Sequence, residues 1–257
     1  MNNKIRFDAV IFDLDGVITK TAKTHALAWK KMFDEYLMLR ETKYGEKFIE
    51  FNPTDDYLAY VDGKPRYNGV KSFLVSRGIE IPFGSPSDPA GAETCCGLGN
   101  KKNLAFNEVL NSEGVEIFPS TISLIKELKQ AGIRLGVASS SKNCRAVLEK
   151  ASLSGFFEVR IDGIVSAELG LNGKPEPDIF LKACELLGVK PEKSIVVEDA
   201  VSGVQAGARG KFGLTIGIAR ENNSDELLRA GAQLVVNDIA EINGINGLND
   251  YFIKFSK

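Results

Sequence analysis

Ala9-Val10-Ile11-Phe12-Asp13-Leu14-Asp15-Gly16 is the stretch from which the fold and the chemistry of this chain are read. Residues 9–12 are continuously apolar, the pattern of a strand buried on both faces, and two carboxylates two residues apart emerge where that run stops. Folding alone does not call for unpaired carboxylates at the end of a core strand, because their desolvation is costly unless a cation or a hydrogen-bond donor compensates it. A divalent metal would do so. The structural alternative is an ordinary turn opened by Asp13 with Asp15-Gly16 at its tip. Three later segments weigh against that alternative.

Outward from this strand, apolar residues at helical spacing (Ala22, Ala26, Leu27, Trp29, Met32, Phe33, Tyr36) predict a helix over 20–39, with further helices over 54–61 and 68–76. A Pro/Gly/Ser-rich loop over 81–91 interrupts them, and helix resumes over 93–111 with a start that Gly97 and Gly99 make irregular. From Pro119 the texture changes. Helices over 121–130, 142–151, 177–187, 201–209 and 224–230 alternate with strands over 133–138, 194–197, 212–218 and 233–236 and a short apolar piece over 159–164. Strands alternating with helices of this length imply crossover units and a parallel sheet covered on both sides. The expected fold is α/β, a doubly wound parallel-sheet core of Rossmann-like type. The first strand belongs to that sheet, whereas the following residues are nearly all helical. The expected domains are therefore an α/β core of residues 1–19 and 115–257 and an inserted all-α cap domain of residues 20–114, carried on hinges at 19–21 and 114–119.

Composition sets bounds on function. At 257 residues and 44% hydrophobic content the chain can bury a substantial core. A formal charge of −2 provides no general field for nucleic acid or anionic lipid, so the expected partner is a small molecule held by a site, with no nucleic acid and no membrane. No apolar stretch approaches the roughly eighteen residues of a membrane span, and Met1-Asn2-Asn3-Lys4 does not open a signal peptide, so a cytoplasmic location is expected. A monomer or weak dimer is expected. Cys95, Cys96, Cys144 and Cys184 lack metal-ligand spacing and are expected to be reduced packing residues. With His25 as the one histidine, zinc sites built on several imidazoles are excluded by inventory. Gly97-Leu98-Gly99-Asn100-Lys101-Lys102 lacks the spacing of a phosphate loop, which argues against a nucleotide kinase.

In an open parallel sheet, ligands bind outside the carboxyl ends of the strands, so residues just after each apolar run are those that converge. Asp13 and Asp15 follow the first strand, Ser139-Ser140-Ser141-Lys142 follow the strand ending at Ala138, Glu198-Asp199 follow the strand ending at Val197, and Lys174-Pro175 precede the helix at 177–187. Carboxylates from two strand ends offer the hard oxygen ligands that Mg²⁺ takes, with positions left for water and a phosphate oxygen. A serine hydroxyl and a lysine then balance a phosphoryl group. Each part has a structural alternative: Ser139 as a helix cap, Lys174 as a solvated loop charge, Glu198-Asp199 as cap and first-turn acids. Their joint occurrence favours the site.

These residues resemble the haloacid dehalogenase-like phosphotransferases, whose motif set is met in Asp13-Leu14-Asp15-Gly16-Val17, Ser139, Lys174-Pro175 and Glu198-Asp199, followed by Gly203 and Ala206-Gly207-Ala208. The resemblance spans nearly the whole chain. It implies Asp13 as the nucleophile that becomes an aspartyl-phosphate, Asp15 as general acid and base, Ser139 and Lys174 as phosphoryl ligands with Ser141 and Lys142 beside them, and Mg²⁺ held by Asp13, the Asp15 backbone carbonyl, Glu198 and Asp199. A carboxylate is a weak nucleophile, so such a reaction needs its phosphoryl target neutralised by metal and lysine.

A closer resemblance is to the β-phosphoglucomutase-like subfamily, through Gly16-Val17-Ile18-Thr19, Thr21-Ala22, His25 and Ala28-Trp29, with Lys102-Asn103 and Arg66 where that subfamily places cap residues for the distal phosphate. It implies that His25 links cap closure to placement of the acid/base aspartate and that Thr21, Arg66 and Lys102 bind substrate. The residue-level alternatives are an interfacial His25 bonded to backbone and a solvated helix charge at Lys102. The chain departs from the pattern at Lys20, where an acid is expected, in the segment 61–67, and in the extra loop 81–91. The implied reaction is Mg-dependent phosphoryl transfer on a small sugar phosphate, hexose 1-phosphate to 6-phosphate. The alternatives are a sugar-phosphate phosphatase and, more remotely, a catalytically silent sugar-phosphate sensor.

Overall fold

Residues 4–220 and 222–256 are described by the structure, a computed structural model, so the first three residues of the expected 1–19 segment, Glu221 and the last residue lie outside the described residues. The chain divides into two compact units, Met1–Lys20 with Val115–Lys257, and Thr21–Gly114.

The first unit is built on a six-stranded parallel sheet in the order β3-β2-β1-β4-β5-β6. Its strands are β1 (Ala9–Phe12), β2 (Arg134–Ala138), β3 (Val159–Ile161), β4 (Ser194–Glu198), β5 (Leu214–Ile218) and β6 (Leu234–Val236). β1 pairs with β2 on one side and β4 on the other, in a register that sets Phe12 beside both Val137 and Val197. The chain winds outward from β1 in one direction through β2 and β3 and returns to wind in the other through β4 to β6. The switch point therefore falls between β1 and β4, where open α/β sheets leave a crevice at the strand ends.

Apolar runs become buried strands here because helices cover both faces. Ile11 and Val196 pack on α7 (Asp178–Leu187), whose Ile179, Phe180, Ala183, Cys184 and Leu187 form one inward stripe. Gly188, in the left-handed conformation at φ 66°, ends that helix with its amide on the Cys184 and Glu185 carbonyls. The remaining helices of this unit are α4 (Pro119–Gln130), α5 (Cys144–Lys150), α6 (Gly163–Glu168), α8 (Val201–Arg209), α9 (Ser224–Ala230) and α10 (Gly244–Phe255). α10 packs on α4, and its Phe252 meets Phe7 at 5.6 Å between ring centroids.

The second unit holds α1 (Thr21–Tyr44), a π-type turn at Tyr57–Val61, α2 (Arg66–Ser76) and α3 (Cys95–Glu113). Its core is aromatic: Phe33 lies 5.3 Å from Trp29 and 4.1 Å from Phe73, and Phe51 lies 5.0 Å from Phe73. Among the described residues no helix is long and apolar enough to cross a membrane. All four cysteines are free and buried.

Several elements differ from their sequence expectation. α1 continues to Tyr44 because its polar last turns are held by side chains and not by an apolar stripe: Arg40 pairs with Glu46 at 2.5 Å and lies over the Tyr44 ring, and Gly45 at φ 70° ends the helix. The apolar piece at 159–164 divides into β3 and α6 because the Asp162 carboxylate accepts the Ile164 and Val165 amides, both at 3.0 Å, and caps a new helix. α10 has no counterpart in the sequence expectation, because its apolar residues are diluted by Asn and Gly. Gly97 and Gly99 do not disturb the start of α3, which Thr94 caps at 2.9 Å. They mark close approaches: a Cβ on Gly97 would lie 2.5 Å from the Ala92 carbonyl oxygen, and one on Gly99 would lie 2.7 Å from the Tyr67 ring.

Candidate active site

β1 delivers Asp13 to the switch point with its amide bonded to the Val197 carbonyl at 2.9 Å, so the ladder to β4 extends one residue past the strand. The chain then turns through Gly16, whose φ of 85° suits glycine and disfavours L side chains. The tip is closed by the Gly16 amide on the Thr19 carbonyl at 2.7 Å and by the Ile18 and Thr19 amides on the Leu14 carbonyl, both at 2.9 Å. Asp13 is buried and Asp15 is half-buried.

β4 ends in Glu198, fully buried, with Asp199 next to it. One Glu198 oxygen accepts the Asp199 and Ala200 amides at 3.0 Å each, and the other accepts Lys174. Glu198 thus organises the turn before α8 without capping that helix: the N-cap is Ala200 and the first turn holds no acid, so the reading of Glu198-Asp199 as cap and first-turn acids does not hold. Two glycines make room for these acids. A Cβ on Gly203 would fall 1.9 Å from Glu198 Oε1, and one on Gly16 would fall 1.7 Å from Asp199 Oδ2.

The Lys174 side chain is buried, which excludes its reading as a solvated charge. Its ammonium lies 2.5 Å from Asp13 Oδ1, also donates to Glu198 Oε1, and reaches the Ala138 carbonyl at 3.4 Å. Burial disfavours that ammonium, but Asp13 and Glu198 outweigh burial and hold its pKa above the ordinary lysine value. Burial, opposed by Lys174 and reinforced by Glu198 and Asp15, holds the Asp13 carboxyl well above the usual carboxylate range. One buried cation therefore does not neutralise the acids gathered around it.

Ser139 continues β2 with its amide on the Ile161 carbonyl at 2.9 Å, and its Oγ accepts the Ser141 amide at 3.0 Å. The hydroxyl proton is left for another acceptor. Ser139 does not cap α5, which starts at Cys144. Ser141 Oγ accepts the Asn143 amide at 3.1 Å, and Ser141 and Lys142 are half-buried in the same turn.

Within the helical unit, Thr21 is buried at the start of α1, and His25 Nδ1 lies 2.5 Å from the Lys102 ammonium. Lys102 is buried, 4.9 Å from the Trp29 ring centroid and 5.1 Å from that of Phe106, and His25 stacks on Phe106 at 4.0 Å. His25 is thus bonded to a side chain and Lys102 is not a solvated helix charge. Arg66 donates to Asn103 Oδ1 at 2.9 Å. One further residue, unmarked by any motif in the sequence, reaches the tip after β1: Arg220 donates from Nε to the Gly16 carbonyl at 2.8 Å.

Asp13, Glu198 and Asp199 each offer a carboxylate oxygen, and these oxygens lie within 4.8 Å of one another. An all-oxygen donor set of this kind, crowded around one ammonium and cradled where two glycines lack Cβ, fits a hard divalent cation.

The family model described as haloacid dehalogenase-like hydrolase matches residues 7–211. The chain is 48% identical over 237 residues to a β-phosphoglucomutase of Mycobacterium bovis, covering 91% of this chain and 90% of that one. It is 27% identical over 232 residues to a phosphorylated carbohydrates phosphatase of Thermotoga maritima, covering 89% and 94%. The crystal structure of a β-phosphoglucomutase from Clostridium difficile superposes with a TM-score of 0.76 at 26% identity, covering 97% of this chain and 98% of that one.

Two outcomes are expected from this geometry. Because burial raises the Asp13 carboxyl above its unfolded value of about 4, ionising it costs stability progressively as pH rises from that value through the raised folded one. Urea denaturation in the presence of a chelator is expected to show this decline in the parent protein and a flatter profile in Asp13→Asn. Gly203→Ala drives a methyl into a Glu198 carboxylate pinned by three donors, and is expected to destabilise the protein by about 1–3 kcal/mol in the same measurement.

Proposed function

The chain belongs to the haloacid dehalogenase-like hydrolase family and is a phosphotransferase or phosphatase, and from that premise we propose that it transfers a phosphoryl group on a small sugar phosphate, converting a hexose 1-phosphate to the 6-phosphate. The observation that carries this reading is the meeting of Asp13, Lys174, Glu198 and Asp199 at the switch point of the sheet.

In the proposed reaction an Asp13 carboxylate oxygen attacks the phosphorus of the substrate, the bond from phosphorus to the leaving oxygen breaks, and an aspartyl-phosphate results. Asp15 protonates the leaving oxygen and, once ionised, accepts the proton of the hydroxyl that next attacks. Lys174, already bonded to Asp13 Oδ1, screens the repulsion between the carboxylate and an anionic phosphoryl group. Ser139 donates its hydroxyl proton to a phosphoryl oxygen, with Ser141 and Lys142 in the same turn as further donors. Mg²⁺, held by Asp13, the Asp15 carbonyl, Glu198 and Asp199, would supply charge neutralisation on the transferring group. The α/β unit is taken as the catalytic core and the helical unit as the cap. Thr21, His25, Arg66 and Lys102, all on the helical unit, are assigned to recognition of the remainder of the substrate. The buried His25–Lys102 pair gives that unit a cation fixed in place.

The similarity to a carbohydrate phosphatase supports a second reading, in which water takes the phosphoryl group from Asp13. The two readings share every residue of the α/β unit and separate at the acceptor. Incubation with β-glucose 1-phosphate, Mg²⁺ and a trace of the 1,6-bisphosphate is expected to yield 6-phosphate. Release of inorganic phosphate without isomerisation identifies the phosphatase instead. Asp13→Asn or removal of the metal with chelator is expected to abolish either activity, whereas Asp15→Asn leaves binding and slows turnover by about a hundredfold or more.

A further inference from the structure

Arg220 lies two residues beyond β5 and outside every motif of the sequence, yet its side chain ends at the turn that carries Asp15. Nε donates to the Gly16 carbonyl at 2.8 Å, and one terminal nitrogen donates to the Asn237 carbonyl at 3.1 Å and lies 3.6 Å from the Asp238 carboxylate. The face of the guanidinium sits 3.6 Å from the centroid of the Phe118 ring. Asp199 and Asp238 are the acids whose charge acts on it. The side chain is 17% exposed, so these partners, and little water, define its position.

The segment it touches is fixed carbonyl by carbonyl. Gly16 is held by Arg220, Val17 accepts the Thr121 hydroxyl at 2.8 Å, and Ile18 accepts the Phe118 amide at 3.0 Å. Arg220 is the charged member of this set, and through Phe118 it also stacks on a residue that supplies another of the three bonds. Gly16 is in turn adjacent to Asp15 and lies under Asp199, as the forbidden Cβ position shows. One planar cation thus joins the loop after β1, the segment entering α4 and the field of Asp199. A lysine would offer a point charge without the flat face that stacks or the edge that donates in two directions.

We propose that Arg220 is a positioning residue for Asp15. Its guanidinium, braced on Phe118, sets the Gly16 carbonyl and hence the peptide and side chain of the acid/base aspartate, so that it acts on turnover without contacting substrate. This rests on the phosphoryl-transfer reading above, and the test separates the two.

Arg220→Met, Arg220→Lys and Phe118→Leu are compared with the parent by amide hydrogen exchange at Gly16, Ile18 and Thr19 and by kcat and KM for p-nitrophenyl phosphate with Mg²⁺. Exchange is expected to rise at least tenfold at these amides in Arg220→Met, with kcat lowered about ten- to a hundredfold and KM within about twofold, since a shift near 1 Å at a reacting group has costs of that order. Arg220→Lys is expected to recover part of both losses, and Phe118→Leu to show a smaller loss in the same direction. Exchange at Gly16, Ile18 and Thr19 unchanged from the parent in Arg220→Met overturns the proposal, as does a change confined to KM. Should Arg220→Met fail to fold, Phe118→Leu decides by the same criteria. A parent that turns over no phosphate ester sinks the phosphoryl-transfer reading, while the exchange data still decide whether Arg220 fixes the turn.

Discussion

A buried ammonium between two buried carboxylates is the interaction on which the α/β unit is organised. Lys174 touches Asp13 from β1 and Glu198 from β4, at the place where the winding of the sheet reverses. Such a cluster is poor evidence for stability, because the desolvation of charges can exceed their mutual attraction. Here it is also unbalanced, with Asp15 adding a third carboxylate beside Asp13 and the one buried lysine. Burial first, and the charges of Glu198 and Asp15 with it, raise the Asp13 carboxyl against the pull of Lys174, and a divalent cation is the chemical remedy that the oxygen donor set accommodates.

The surrounding backbone serves this arrangement. Gly16 and Gly203 are glycine because carboxylates of Asp199 and Glu198 occupy the space their Cβ atoms would take. Glu198 joins two duties in one side chain, with one oxygen closing the turn into α8 and the other receiving Lys174. Glu198 is not the cap of α8, whose N-cap is Ala200, but it holds the turn before that helix and lies among the clustered acids.

Much of this was legible in the sequence for identifiable reasons. Buried strands are short apolar runs bounded by polar residues, so β1, β2, β4 and β5 stand out, and the parallel fold follows from their alternation with helices. Asp13, Asp15, Glu198 and Asp199 were visible because they interrupt or end those runs. What local pattern does not carry was lost. The polar end of α1 is held by Arg40 and its partners, and the division of 159–164 depends on the capping by Asp162. The burial of Lys174 comes from residues 161 and 24 positions away. Arg220 shares this fate: its partners Gly16 and Asn237 are brought to it by sheet order, and sequence spacing gives no sign of them.

The claim most worth testing is that phosphorus-like ligands bond to Asp13 only when a divalent ion offsets the excess of acids. Fluorine NMR of the protein with beryllium fluoride, a mimic of an aspartyl-phosphate, measures this directly. The account predicts protein-bound fluoride resonances with Mg²⁺ present that vanish with chelator and in Asp13→Asn. Bound resonances that persist in Asp13→Asn, or their absence from the parent protein at saturating Mg²⁺, would contradict it.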